Sequence, residues 1–67
     1  MKMFSLKALR VNAGLTQKEA AKHLGVSVRT LWQWENSKSL PNAAQINNIC
    51  KLYDTNYEFI FFDLHNA

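Results

Sequence analysis

Apolar residues recur at helical spacing along four stretches of the chain, and capping residues or glycines separate the stretches. Leu6, Leu9 and Ala13 make the first stripe, with Ser5 placed as an N-cap and Gly14 closing the helix. Ala20 and Leu24 make the second, on a helix that should stop at Leu24. Ahead of it, Thr16 and Glu19 have the spacing of a capping box, in which each side chain accepts from the other's amide; Gly25 follows where a left-handed cap is needed. Leu31 and Trp34 make the third stripe, on a helix predicted over 28–36 with Ser27 as its N-cap, and Val26 can drop into the core from the turn before it. Ile46, Ile49, Cys50 and Tyr53 make the fourth, behind Pro41 and a second capping-box pair, Asn42 and Gln45. Past Asp54 the pattern leaves two readings open. Tyr57-Glu58-Phe59-Ile60 suits either a short fifth helix, capped by Asn56 with Tyr57 and Ile60 inward, or a strand.

Between the second and third helices there is room only for a turn of about three residues, the geometry of a helix-turn-helix unit. The third helix has two unlike sides. Leu31 and Trp34 face the core, while Val28, Arg29, Trp32 and Gln33 fall on the side presented outward. An arginine can donate a pair of hydrogen bonds to guanine, a glutamine can pair with the adenine edge, and valine or tryptophan can touch a thymine methyl. That is the chemistry of major-groove reading.

The twenty residues 17–36 resemble the helix-turn-helix of the phage-repressor and Cro type, the XRE-like family of small bacterial and phage transcription regulators. The apolar places of that motif are filled by Ala20, Leu24, Val26, Leu31 and Trp34, its small residue by Ala21 and its turn glycine by Gly25. Two of these have plain physical reasons, since Ala21 lets the second helix of the pair cross closely and Gly25 allows a positive φ. The likeness extends roughly over residues 6–60. It implies an all-α, lambda-repressor-like fold, a compact bundle of four to five short helices around a central helix-turn-helix over 16–36. It also implies one DNA-binding domain spanning 1–67, acting as a sequence-specific, repressor-like regulator on double-stranded DNA.

Further roles follow from the same resemblance. An arginine at Arg10 pairs with a glutamate at Glu35, fixing the first helix against the reader, and a glutamine at Gln17 touches the DNA backbone or the first base. The family's usual glycine is replaced by Ser37, a departure that bears on the tightness of the turn, although Asn36 can itself adopt a left-handed conformation. The family also favours a helix over the 57–61 alternative. Phe59, Phe61 and Phe62 are more aromatic surface than so small a core needs, and related regulators pair through this region. A twofold homodimer on a palindromic operator would set two reading helices about 34 Å apart.

Charge adds a polyanion to this picture. The 67-residue chain has a net charge of +3 and a pI near 9.3. Its first 51 residues carry all eight basic side chains against Glu19 and Glu35, and the rest carry only Asp54, Glu58 and Asp63. Lys18, Lys22 and Lys38, with the helix starts at Thr16, Ser27 and Asn42, are therefore the candidate phosphate contacts. At this length only about 60% of the unfolded surface is buried, so a partner subunit would add to stability.

Catalysis finds no support in the residues. His23 and His65 are isolated, the carboxylates are scattered, and no phosphate loop or metal-ligand spacing occurs, so no cofactor or metal is expected. The lone Cys50 sits on an apolar stripe and reads as a buried structural thiol in a reducing compartment. The longest apolar run, 59–62, is far too short for a membrane span and no secretory leader is visible, which predicts a cytoplasmic protein. A second class of function uses the same fold to bind protein, as an antitoxin binding its toxin or as an antirepressor target. Trp32 on the presented face suits that reading; Arg29 and Gln33 beside it suit DNA.

Overall fold

The computed structural model describes residues 3–62. Four helices carry the chain: α1 (Leu6–Asn12), α2 (Gln17–Leu24), α3 (Val28–Glu35) and α4 (Ala43–Tyr53). Two short strands, β1 (Phe4–Ser5) and β2 (Ile60–Phe61), tie the two ends together, and one 3₁₀ turn, Tyr57–Phe59, leads into β2.

Each α-helix starts where a side chain can satisfy an amide that has no partner inside the helix. Ser5 Oγ accepts from the Ala8 amide at 3.1 Å, and Ser27 Oγ from the Thr30 amide at 3.0 Å. The two capping boxes are complete: Thr16 and Glu19 exchange bonds of 3.1 and 2.9 Å, and Asn42 and Gln45 exchange bonds of 2.8 Å in both directions. The carboxyl of Glu19 is held below its ordinary pKa chiefly by the Thr16 amide it accepts from.

The core is one cluster to which every element except β1 and the 3₁₀ turn gives a buried residue. Leu6 and Leu9 come from α1, Ala20 and Ala21 from α2, Leu31 and Trp34 from α3, Ile49 from α4 and Ile60 from β2. Leu31 and Ile49 are the largest side chains closed off completely, and burying each contributes about 1.5–3 kcal/mol. Phe4, Leu15, Leu24, Val26, Leu52, Tyr53 and Phe62 pack around this centre.

Several expectations are corrected. Ala13 is exposed, because α1 ends at Asn12 and Ala13 is already its C-cap. The third helix ends one residue early, with Asn36 as C-cap at φ −106°. The left-handed residue is therefore Ser37, at φ 57°, and not Asn36. Cys50 is only partly buried, at the margin of the core and not inside it.

The largest change is at the C-terminal end. Instead of a fifth helix, one 3₁₀ turn gives way to β2, which pairs in parallel with β1 in the register Phe4 with Ile60 and Ser5 with Phe61. Asn56 makes no side-chain cap. Ile60 is buried as expected, but Tyr57 is 62% exposed. A helix would keep residues three apart on one face; here the backbone becomes extended at Ile60, so the two side chains part. Asp63 and His65 lie outside the described residues.

Candidate nucleic-acid interface

The turn between α2 and α3 is three residues long, Gly25, Val26 and Ser27. Gly25 lies at φ 70°, ψ 31°, and its amide donates to Lys22 O at 3.3 Å while the Val26 amide donates to Ala21 O at 3.0 Å. A side chain at Gly25 would meet nothing within 4 Å, so the glycine is required by its backbone angle and not by crowding. Ala20 and Ala21 are both buried, and their small size allows α3 to lie close across α2.

With Leu31 and Trp34 buried, α3 presents its other side. Val28 is 42% and Trp32 44% exposed; Arg29 is exposed and Gln33 partly so. These four share one accessible strip of the helix, as the reading pattern requires. Lys18, Lys22 and Lys38 are exposed, as are Thr16, Ser27 and Asn42. The last three spend their side-chain oxygens on capping, which leaves the free amides of each first turn as the groups that can meet a phosphate.

Behind this strip the strip's attachment to α1 is fixed by a buried charge pair. Arg10 Nε donates to Glu35 Oε2 at 2.7 Å and Arg10 Nη2 to Glu35 Oε1 at 3.2 Å, while Nη1 reaches Leu15 O at 3.0 Å. The bonds to Glu35 raise the Arg10 pKa against the opposing effect of burial. Glu35 also accepts from Gln17 Nε2 at 3.1 Å. Gln17, expected to face DNA, therefore has one amide hydrogen committed to this network. Tyr53 lies close enough to feel both charges. Its phenol is pushed up to about 12, first by burial and then by Glu35, with Arg10 opposing, and its buried hydroxyl has no hydrogen-bond partner among the described residues.

Lys7, Arg10, Gln17, Trp32, Glu35 and Asn36 together line an open polar cleft of about 490 Å³ between α1 and the helix pair. Lys7 is the residue that sequence reasoning missed. Its spacing of three from Arg10 already put the two on one side of α1.

The sequence profile described as Helix-turn-helix domain matches residues 5–58. The chain belongs to that family. Nothing among curated proteins or solved structures matches it. The matched span of this helix-turn-helix domain runs from the N-cap of α1 into the 3₁₀ turn, so it includes the whole helix pair and the Arg10–Glu35 brace. Helix-turn-helix domains are DNA-binding modules, and α3 is the second helix of the pair in this chain.

Of the three aromatic residues expected at an interface, only Phe61, at 49%, is largely exposed. Phe59 is partly buried, and Phe62 folds back against the core because the β1–β2 pairing draws this end of the chain inward. Phe61 instead joins Met3, Leu40 and Tyr57, all exposed, around an apolar hollow of about 300 Å³. No helix of the described residues is long and apolar enough to cross a membrane.

Proposed function

We propose that the protein is a sequence-specific regulator of transcription of the phage-repressor and Cro type. It would bind double-stranded DNA in the cytoplasm of a bacterium, with α3 in the major groove. The observation that carries the reading is the accessible strip Val28, Arg29, Trp32 and Gln33 on a helix whose opposite side, Leu31 and Trp34, is buried and whose flank is braced to α1 through Glu35. Arg29 and Gln33 would read bases, with Val28 on a thymine methyl. Lys18, Lys22, Lys38 and the amides at Thr16, Ser27 and Asn42 would hold phosphates on either side.

The domain would act as a homodimer on a palindromic site, repressor-like, with the exposed Phe61 and its apolar neighbours supporting the pairing. Selection of binding sites from random duplex DNA, repeated at two salt concentrations, tests this. Recovery of a palindrome with half-sites about one helical turn apart is the expected result. Weak, sequence-blind binding erased by salt would end the regulator reading. Sedimentation over a dilution series tests the dimer separately, and a monomer at every concentration, with and without duplex, would remove it.

A second reading, a protein-binding module such as an antitoxin, is favoured by the exposed ring of Trp32 beside the reading residues. It expects co-purification with the product of a neighbouring gene.

A further inference from the structure

We propose that the cleft between α1 and the helix pair holds one phosphate of the DNA backbone. Lys7 is its cation and the Trp32 indole N–H its second donor, so Trp32 touches the sugar-phosphate chain and not a base. The proposal rests on the DNA-binding reading and reassigns one of its base readers.

The groups lining the cleft select an anion. Glu35 is its one carboxylate, and both of its oxygens already accept, from Arg10 and from Gln17. The charge of Arg10 is spent on that pair. Lys7 is exposed on the rim and has no ion-pair partner among the described residues. The indole of Trp32 can only donate, and among the described residues nothing accepts from it, although the ring is 44% exposed. Gln17 keeps a second amide hydrogen. Asn36 has its amide nitrogen held by the Trp32 carbonyl at 2.9 Å, which fixes the wall of the cleft at the end of α3. A compact ammonium and neutral N–H donors over a compensated carboxylate suit a phosphate oxygen, and such contacts set register without reading sequence.

The placement suits the backbone beside the groove that α3 would occupy. Along α3, Trp32, Glu35 and Asn36 face the cleft, whereas Arg29 and Gln33 lie on the neighbouring strip. Trp32 thus stands on the border between base readers and the cleft. A planar ring at that border can lie along a deoxyribose while its edge donates to the adjoining phosphate.

Three variants test this: Lys7→Gln, Trp32→Phe, which deletes the N–H and keeps a ring, and Lys51→Gln, an exposed lysine on α4 outside the cleft. Affinity is measured over a salt series on the duplex recovered by selection and on a scrambled duplex, after thermal melts confirm folding. Lys7→Gln should weaken both duplexes by the same factor and flatten log K against log salt by about 0.9, one phosphate contact. Trp32→Phe should weaken both equally and leave the preferred sequence unchanged. Lys51→Gln should leave the slope where it was.

An unchanged slope in Lys7→Gln overturns the proposal, and so does an equal change in Lys51→Gln, which would reduce the effect to net charge. A changed base preference in Trp32→Phe returns Trp32 to the base readers and overturns its part. Failure of the unmutated protein to distinguish the two duplexes overturns the regulator reading instead, while the Lys7 salt slope still decides the phosphate contact.

Discussion

Arg10 and Glu35 meet side-on, Nε to Oε2 at 2.7 Å and Nη2 to Oε1 at 3.2 Å, with only 11% and 2% of their side chains exposed. They lie 25 residues apart, on the last turns of α1 and α3. The pair therefore braces α3 against α1. Removing one partner strands the other charge away from water, a loss of about 3–5 kcal/mol. Arg10→Met should bring urea unfolding, followed by circular dichroism, close to collapse for so small a domain. Replacing both residues by well-packed apolar ones should restore much of that stability. A loss under about 1 kcal/mol in the single variant would show a pair no stronger than one at an open surface.

Ser37 holds φ 57° and is buried. An ordinary residue in this region costs about 1–2 kcal/mol, which glycine avoids at the expense of greater freedom in the unfolded chain, about 0.4–1 kcal/mol. Ser37→Gly should therefore raise stability, by up to about 1 kcal/mol. In a domain of this size that is a rise of about 4–8 °C in Tm. A lower Tm would mean that the Ser37 side chain contributes more than the backbone strain costs.

The phenol of Tyr53 ionises at about 12 in the fold against an ordinary 10.0. Raised in the folded state, it favours the neutral form there. The stability this difference provides is whole below pH 10.0 and is lost as pH rises through about 12. Tyr53→Phe should flatten that alkaline limb of stability against pH. It also deletes a buried hydroxyl without a partner among the described residues, an arrangement that costs about 1–3 kcal/mol. The variant is thus expected to be at least as stable as the parent at neutral pH. A clear loss there would reveal an ordered water bridging the hydroxyl to the Arg10–Glu35 pair.

Arg29 is exposed on α3 and belongs to no ion pair among the described residues. Arg29→Ala should leave the melting curve in place and lose about 1–3 kcal/mol of discrimination at a single base position. The comparison is between duplexes differing at that position alone. An equal loss on every sequence would make Arg29 a phosphate contact.

The helices were legible because their signals are local. Ser5, Thr16, Ser27 and Asn42 each reach an amide three residues on, so the sequence contains both partners of each bond. Gly25 likewise takes the left-handed turn that its lack of a side chain suits. The strip on α3 followed from helical period alone once Leu31 and Trp34 were assigned inward.

Asparagine is the better residue for a left-handed angle, yet the chain turns at Ser37, one place after Asn36. The Ser37 amide bonds back to Trp34 O at 3.3 Å and the Lys38 amide to Gln33 O at 2.8 Å. That closing pattern needs the positive φ at Ser37. Propensity was outvoted by hydrogen bonding.

Caps, periods and the residue types on each helix face are short-range quantities, and from them the sequence by itself determined four helices, the tight turn and which side chains α3 leaves outside the core. The tertiary structure alone decided what depends on distant residues meeting. It paired Phe4 with Ile60 and so replaced a helix with a strand. It drew one hydrogen of Gln17 to Glu35, and it set Lys7 beside Trp32 across a cleft. No local preference encodes such meetings, because each depends on how the core closes, and with it the docking of α1 against α3.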